Sequence, residues 1–187
     1  GIYVVEGSFY SSRQPHLMLE PWSLQSYYDE DGMLTVNYKS QTLWVGMINV
    51  PRAIGVSPKQ FRIIEIPTGA SFGASMDHHA VAMIAAAEMV VKRPITWTQT
   101  YEETQRFTGK RASSYANAKL ACDKNGKILA IDFDSAIDHG ANATSAGGVE
   151  KKYIRFVGYP YNVPNIRGLV RGGLSNEPFG VAYRAYG

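Results

Sequence analysis

Only one of the 187 residues is a cysteine, Cys122, and this scarcity excludes several classes of site. A single thiol cannot form an internal disulfide, and it cannot supply the set of thiolates that a cysteine-bound zinc site or an iron–sulfur cluster needs. We interpret Cys122 as a small apolar strand residue. Disulfides and cysteine-ligated metal centres are therefore excluded within this chain.

Long apolar runs and basic blocks are also missing. No uninterrupted apolar run approaches the roughly 20 residues that a membrane-spanning helix requires, so we expect no membrane span. The first seven residues lack the charged and apolar regions of a signal peptide, so we expect a cytoplasmic protein, or a periplasmic one if a signal lies outside this chain. The formal net charge is only +3, and the scattered lysines and arginines argue against nucleic-acid binding.

Alternating segments that meet at short polar turns predict two β-hairpins. The first hairpin pairs residues 22–28 with residues 33–40, and the second pairs residues 114–122 with residues 127–137. Their turns end in Asp31-Gly32 and Asn125-Gly126, where the positive φ of a hairpin loop costs least. In the last strand Asp132 and Asp134 alternate with apolar residues, which predicts one solvated face.

Three segments predict helices. Residues 76–92 are apolar nearly all round except at Glu88, so this helix is expected to be buried on most sides. The side chains expected to be inaccessible are Met83, Ile84, Ala87 and Val91. A shorter helix is predicted over residues 43–50, and residues 100–103 have the spacing of a capping box. Residues 140–187 show few periodic signals and are predicted to be mostly loops. For the whole chain we predict one partial domain over residues 1–187, truncated at its C-terminal end.

The small-residue loop at residues 69–75 is the most informative candidate site. It follows the strand-like run at residues 61–67 and leads directly into the apolar helix. Backbone N–H groups at a helix start bind partially negative oxygens, and small residues let a ligand approach closely. A tight strand-to-helix turn without a ligand is the alternative interpretation.

Other charged and histidine residues give weaker indications. His16 and Glu20 have the spacing of a helical ligand pair, but Pro15 and Pro21 argue against a helix there. The adjacent residues 77–79, with sequence Asp-His-His, would point in different directions on a helix, so a shared metal is not predicted. Arg184 follows an apolar run, and its guanidinium could serve either a structural ion pair or substrate binding.

Taken in order, these motifs resemble the molybdenum-binding large subunit of the xanthine dehydrogenase and aldehyde oxidoreductase family, in its first molybdopterin-binding region. The similar stretches are residues 16–21, 40–42, 55–56, 69–74, 93–94, 102–103, 109–111, 138–141, 159–165 and 182–187. They span nearly the whole chain in the family's order, which is more specific than any single motif.

The resemblance implies an α+β fold with a mixed sheet, hairpins and a buried helix, part of the molybdenum cofactor-binding domain. It implies that the Gln41 side chain and the Phe72 backbone N–H approach oxygen ligands of molybdenum, and that Arg184 faces the substrate. Gln41 and Arg184 are thus the implied catalytic residues, and no residue of this chain is an implied metal ligand. The residues implied to contact the cofactor are Gln41, Gly69, Ser71, Phe72, Gly73 and Arg184.

The resemblance also implies a reaction and partners. The family hydroxylates a carbon of an aldehyde or an N-heterocycle with water as the oxygen source, and molybdopterin carries that chemistry. The implied partners are the remainder of the large subunit and the iron–sulfur and flavin subunits or domains. Because the family's essential glutamate belongs to a Gly-x-Gly-Glu motif absent from these 187 residues, we expect the isolated chain to be inactive and to hold no molybdopterin.

Three departures from the family pattern bear on this interpretation. Ala70, Ser71 and Ala74 replace glycines of the family's loop, which would cost on the order of 1 kcal/mol wherever a positive φ is required. Met76 replaces a glutamate that purine hydroxylases use, which favours an aldehyde or another heterocycle. Ala185 replaces a glycine of the family pattern after Arg184. The alternative to a fragment of a hydroxylase is therefore a degenerate or split subunit that completes a partner's site without binding cofactor itself.

Overall fold

The computed structural model describes residues 1–143 and 147–184. The strands are β1 (Ile2–Ser11), β2 (Ser23–Tyr28), β3 (Leu34–Tyr38), β4 (Phe61–Glu65), β5 (Ile95–Thr98), β6 (Ser113–Asp123), β7 (Ile128–Asp138) and β8 (Ile166–Gly173). The α-helices are α1 (Leu43–Ile54), α2 (His79–Val91), α3 (Tyr101–Phe107) and α4 (Gly148–Phe156). None of the described helices is long and apolar enough to cross a membrane.

The chain divides into two compact units. The central unit is Pro15–Gly109, and the terminal unit combines Gly1–Gln14 with the chain from Lys110 onward. The prediction of one partial domain over residues 1–187 concerns the chain as a whole and stays a prediction. Each unit contains a four-stranded sheet with parallel and antiparallel pairs, so the predicted α+β class with mixed sheets is confirmed.

In the central unit the strand order is β4-β3-β2-β5, and only the β3–β4 pair is parallel. The predicted first hairpin is confirmed as β2 and β3, with Gly32 at φ 74° in the turn. One oxygen of the Asp29 carboxylate accepts from the backbone N–H groups of Asp31 and Met33, at 3.1 and 2.9 Å. These bonds satisfy turn donors locally and fix where the two strands pair.

Helix α2 differs from its prediction in both extent and burial. A short 3₁₀ turn occupies Ala74–Met76, and α2 itself begins at His79. Ile84 is buried as predicted, but Met83 is 49% exposed and Val91 is 54% exposed, so the prediction of burial on most sides is wrong for these two side chains. Among the described residues, α2 packs against α1 and the sheet on one side. The apolar composition of the helix does not indicate which of its sides are buried by that packing.

The other two helices of the central unit begin where predicted. Helix α1 begins at Leu43 but continues past Pro51 to Ile54, where Gly55 ends it in the left-handed conformation. The predicted capping box before α3 is confirmed, because Glu103 N–H donates to Thr100 Oγ1 at 3.1 Å and Thr100 N–H donates to Glu103 Oε2 at 2.7 Å. Both bonds satisfy backbone donors that a helix start would otherwise leave unpaired.

The terminal unit has the strand order β1-β6-β7-β8, with β7 and β8 parallel. Strands β6 and β7 confirm the predicted second hairpin. Most described residues from 140 onward lie outside helices and strands, as predicted, but α4 and β8 are regular elements of this segment that the sequence did not predict. Strand β8 is rich in glycine and has little strand propensity, yet it pairs along β7, and a Cβ on its Gly168 would lie 2.2 Å from the Phe133 ring. Pairing with β7 therefore imposes a strand that local propensity does not predict.

Candidate functional site

The loop at residues 69–75 forms a tight turn in the central unit. Phe72 has φ 54° and Gly73 has φ 109°, so two successive residues adopt the left-handed region. Ala74 N–H donates to the Ser71 carbonyl at 3.0 Å, and Ser75 N–H donates to Ser71 Oγ at 2.8 Å. Ser71 thus satisfies both of these N–H groups, and donors to an anionic oxygen in the concavity of such a turn must come from its other groups.

The replaced glycines carry no backbone strain in this loop. Ala70, Ser71 and Ala74 are not among the described residues with positive φ, whereas Gly73, which the family pattern retains, is. None of the three replaced glycines stands at a position that requires a positive φ, so their replacement does not force the loop into a different shape. Phe72 is the non-glycine residue of this turn with a left-handed backbone, which costs roughly 1 kcal/mol or more and is typical of functional turns.

Gln41 is held against this loop by both its backbone and its side chain. Gln41 N–H donates to the Ser75 carbonyl at 3.1 Å, and Gln41 Oε1 accepts from Ser71 Oγ at 2.7 Å. The residue is otherwise exposed, and within residues 1–143 and 147–184 its Nε2 donates no hydrogen bond. Because Ser71 occupies the carbonyl oxygen, the amide presents its two N–H donors beside the loop.

A buried lysine fixes the beginning of the same loop. Lys39 is 1% exposed, and its ammonium donates to the carbonyls of Glu20 and Ala70 at 3.1 and 3.2 Å. Burial lowers the pKa of Lys39, although the ion pair with Glu20 Oε1 at 3.3 Å opposes that change. Glu20 Oε2 also accepts from Ala70 N–H at 2.6 Å. Glu20 therefore positions the loop, a role different from the metal-ligand spacing considered in the sequence.

Gly69 is the point at which Glu20 approaches the loop most closely. A Cβ on Gly69 would lie 2.6 Å from Glu20 Oε2, so a larger residue would displace the carboxylate. Sequence reasoning missed Lys39 and the positioning role of Glu20, because the two residues lie 19 positions apart and meet only when the chain folds. The signal in the sequence that could have indicated a buried lysine is the position of Lys39 directly after the largely apolar strand β3.

The histidines at the start of α2 have different partners. His78 Nε2 lies 2.8 Å from Ser40 Oγ, and burial lowers the pKa of His78. His79 Nδ1 lies 2.5 Å from Asp77 Oδ2. Burial also opposes a charge on His79, but the hydrogen bond and ion pair with Asp77 outweigh it and raise the pKa of His79. The two imidazoles thus face different groups, as predicted, and each ties the loop side of α2 to a neighbouring segment.

Arg184 belongs to the terminal unit, whereas the loop at residues 69–75 belongs to the central unit. Its backbone has φ 46°, and its guanidinium carbon lies 5.7 Å from the centre of the Tyr183 ring. Arg111 contacts the same ring at 4.7 Å, and its Nη2 donates to the Tyr183 carbonyl at 3.1 Å. Arg184 thus has a left-handed backbone and follows Tyr183, whose ring and carbonyl both contact Arg111. Both features constrain the conformation of this segment. Residues 185–187, which include the predicted Ala185 departure, lie outside the described residues.

The structure therefore brings one group of predicted site residues together. Gly69, Ser71, Phe72 and Gly73 form one turn, and Gln41 is hydrogen bonded to it through Ser71. This group presents donors, two left-handed backbone positions and no carboxylate of its own, which suits an oxygen-rich anionic ligand. Groups of three or more His, Cys, Asp or Glu side chains that could hold a metal ion are not found within residues 1–143 and 147–184.

Comparison with known proteins gives a consistent result. Residues 2–187 match the model of the molybdopterin cofactor-binding domain family. The chain is 34% identical over 183 residues to an aldehyde oxidoreductase of Megalodesulfovibrio gigas, covering 98% of this chain and 20% of that protein. It is 29% identical over 184 residues to the nicotinate dehydrogenase large molybdopterin subunit of Eubacterium barkeri, covering 98% of this chain and 43% of that subunit.

Solved structures show the same relation. The aldehyde oxidoreductase from Desulfovibrio gigas superposes with a TM-score of 0.94 at 34% identity, covering 99% of this chain and 20% of that one. Quinoline 2-oxidoreductase from Pseudomonas putida superposes with a TM-score of 0.85 at 20% identity, covering 97% of this chain and 24% of that one, which is similarity of fold alone. The chain thus spans 20% of the length of the Megalodesulfovibrio gigas aldehyde oxidoreductase and 43% of that of the nicotinate dehydrogenase subunit.

Proposed function

Because the chain belongs to the molybdopterin cofactor-binding domain family, we propose that it is part of a molybdenum hydroxylase, where it helps bind the molybdopterin cofactor and shapes the substrate pocket. The observation that carries this proposal is the Gln41 amide, which Ser71 orients beside the left-handed turn at Phe72 and Gly73. When bound, molybdopterin supplies the redox chemistry that transfers an oxygen atom from water to a substrate carbon.

The proposed roles follow from the donors of this site. Gln41 donates from Nε2 to an oxygen of the bound cofactor, because its Oε1 is already engaged by Ser71. The backbone of Phe72 and Gly73 lines the same concavity. Gly69 keeps the loop close to Glu20, and Ser71 holds both Gln41 and the following turn. Donors fixed in advance stabilise developing negative charge without reorganising during reaction.

Arg184 is proposed to act on substrate from the terminal unit. A guanidinium is always charged and donates in a planar fork, so it suits an oxygen or nitrogen that gains negative charge. The contact with the Tyr183 ring at 5.7 Å restricts its orientation. Gln41 and Arg184 are thus the proposed catalytic residues of this chain.

The reaction needs further groups, and we infer that this chain does not act alone. The chain spans 20% of the aldehyde oxidoreductase it matches, and the glutamate expected of the family is not among its residues. We propose that the remainder of a large subunit completes the pocket, that iron–sulfur and flavin subunits or domains receive the electrons, and that the isolated chain retains no molybdopterin. The names of the relatives, an aldehyde oxidoreductase and a nicotinate dehydrogenase, support an aldehyde or N-heterocycle as substrate.

A scaffold that completes a partner's site without cofactor remains the alternative proposal, but the loop geometry supports it less. That alternative rested on three replaced glycines, and none of these positions has a positive φ. The loop therefore keeps its turn with the residues present. A scaffold would also have no use for an amide held beside a concavity with its donors presented.

The decisive experiment uses the full-length protein that carries this chain. We expect Gln41→Ala to lower kcat for an aldehyde substrate roughly 10²–10³-fold, as removal of one fixed donor does at comparable sites. The matched control is Gln25→Ala, since Gln25 is also exposed and its Oε1 also accepts one hydrogen bond, from Asn37 at 3.1 Å. Normal turnover in Gln41→Ala, with molybdenum content equal to that of Gln25→Ala, would remove the catalytic proposal.

A further inference from the structure

A cavity of about 260 Å³ is lined entirely by residues of the terminal unit. Its walls come from the end of β7, the segment at Arg111 and the segment at Gly180. Backbone bonds join these walls, since Gly180 N–H donates to the His139 carbonyl at 2.6 Å and Val181 N–H donates to the Lys110 carbonyl at 2.8 Å. The cavity is thus a preformed space in the described residues.

Two nitrogen atoms of the lining residues are buried without partners in the described structure. Arg111 uses Nη2 to bind the Tyr183 carbonyl, but its Nε is buried and makes no hydrogen bond. His139 is 1% exposed, and its Nδ1 is likewise buried and unpaired. Buried polar groups are nearly always paired, so two such atoms around one cavity indicate a missing hydrogen-bonding group.

The charges around the cavity indicate which kind of group is missing. Arg111 is a permanent cation, and no carboxylate is among the described lining residues. The neighbouring carboxylates are engaged elsewhere: Asp138 pairs with Arg13 at 3.1 Å, and Glu150 lies behind His139, 2.6 Å from its Nε2. Burial opposes ionisation of Glu150, but the interactions with His139 and the hydrogen bonds from backbone N–H groups together outweigh it and lower the pKa of Glu150. An imidazole donates from both ring nitrogens when it is doubly protonated, so a His139 ring in that form would donate to Glu150 from Nε2 and to a ligand from Nδ1.

The rest of the lining is mostly apolar or hydroxylic. Ile137, Val149 and Val181 supply apolar surface, whereas Ser11 and Ser114 supply hydroxyl groups. A cavity of about 150 Å³ lined by apolar side chains is known to admit benzene, so a space of this size accepts a single aromatic ring. Convergent donors at one side of an apolar space are the usual form of a small-molecule site.

We propose that this cavity binds a small monocarboxylate with an apolar body, whose carboxylate is held by Arg111 and His139. Arg111 Nε and His139 Nδ1 would each donate to a carboxylate oxygen. Ile137, Val149 and Val181 would cover the body of the ligand. This inference rests on the cavity alone and not on the proposed hydroxylase function.

The test is isothermal titration calorimetry of the full-length protein with benzoate, benzyl alcohol and benzylamine as probes. These probes share one aromatic body and differ in charge. We expect benzoate to saturate one site, benzyl alcohol to bind at least about tenfold more weakly and benzylamine not to compete, because a charge-assisted hydrogen bond is lost in each case. Equal affinity for benzoate and benzyl alcohol would overturn the role assigned to the two donors.

Variants locate the site and separate it from the molybdenum pocket. Arg111→Gln should weaken benzoate binding at least about tenfold, whereas Arg171→Gln, which removes an exposed arginine of β8 in the same unit, should leave it unchanged. Val149→Phe should also abolish binding, because the larger side chain fills the cavity. This second variant keeps Arg111, so it still tests the site if Arg111→Gln does not fold. Benzoate affinity that is unchanged in Val149→Phe overturns the proposal. Binding is measured as heat, so loss of turnover in any variant does not affect the result.

Discussion

The central unit contains a large cluster of buried apolar side chains, whereas the described part of the terminal unit buries few, and both units leave some large apolar side chains exposed. The buried apolar cluster of the central unit includes Trp22, Leu34 and Tyr38, each at most 1% exposed. In the terminal unit Ile2 and Val4 of the edge strand β1 are 70% and 62% exposed. Full burial of a large apolar side chain contributes roughly 1.5–3 kcal/mol, so the central unit draws more of its stability from apolar packing.

The terminal unit relies more on backbone pairing and on polar contacts across its sheet. Strand β6 pairs along its whole length with β1 and β7, and the Arg167 guanidinium makes two bonds to the Asp132 carboxylate at 3.1 and 2.5 Å. The Arg171 guanidinium makes one hydrogen bond to the Asp134 carboxylate. Exposed pairs of this kind contribute little to stability, because water screens their charges. The comparison indicates that the Gln41 loop belongs to the unit with the larger cluster of buried apolar side chains.

The largest expected effect tests this difference directly with two leucines. Leu34 is 1% exposed in β3, and Leu169 is 49% exposed in β8. We expect Leu34→Ala to lower the free energy of unfolding by about 2–5 kcal/mol, because it leaves a cavity in the core. Leu169→Ala should cost less than about 1 kcal/mol. Urea denaturation measures both, and equal losses would show that the two units do not differ in packing.

The next prediction concerns the buried cation below the loop. Lys39→Met should destabilise the central unit by roughly 1.5–3 kcal/mol, since it leaves the Glu20 and Ala70 carbonyls without their charged donor. Lys59→Met is the control, because Lys59 is an exposed lysine of the same unit. The backbone N–H of Ala70 should also exchange faster in Lys39→Met. Unchanged exchange at Ala70 would separate Lys39 from the positioning of the loop.

A smaller effect is expected from Arg184, the proposed site residue outside the central unit. If it serves substrate, Arg184→Ala should lower kcat/KM of the full-length protein at least about tenfold and leave Tm nearly unchanged, because a charged hydrogen bond is lost only with substrate bound. If it is a structural ion pair, Tm should fall while activity per folded molecule stays near normal. Arg167→Ala provides the comparison for an exposed structural arginine of the same unit.

The smallest expected effect is a pH dependence at the start of α2. The pKa of His79 is raised above its usual 6.5, so its contribution to stability is complete below pH 6.5 and is lost as pH rises through the folded value. The pKa of His78 is lowered, so its contribution is present above pH 6.5 and is lost as pH falls through the folded value. His79→Gln and His78→Gln should therefore change the slope of unfolding free energy against pH in opposite directions. Changes of the same sign would contradict this assignment.

Several elements could be predicted because their signals are local. The turn at Gly32 and the capping box at Thr100 and Glu103 each depend on residues within four positions of one another, and both appear in the structure. The loop at residues 69–75 could be predicted for the same reason, since a small-residue segment between a strand and a helix is visible in the sequence. The family followed from the order of such motifs, which the comparison with known proteins confirms.

Other features could not be predicted because they depend on residues far apart in the chain. Strand β8 exists through its pairing with β7, and Gly168 is required by the Phe133 ring rather than by a turn. The exposure of Met83 and Val91 depends on which side of α2 the sheet covers. Neither the composition of the helix nor the spacing of its apolar residues contains that information.

The amino-acid sequence by itself determined the hairpin turns, the starts of α1 and α3, and the family, because each depends on residue types at short and ordered spacing. Only the tertiary structure decided that Lys39 reaches Glu20 and Ala70, that Ser71 orients the Gln41 amide, and that Arg111 and His139 share one cavity. The physical reason is that each of these contacts joins residues 19 to 31 positions apart, and such distances close only when the sheets and helices have packed.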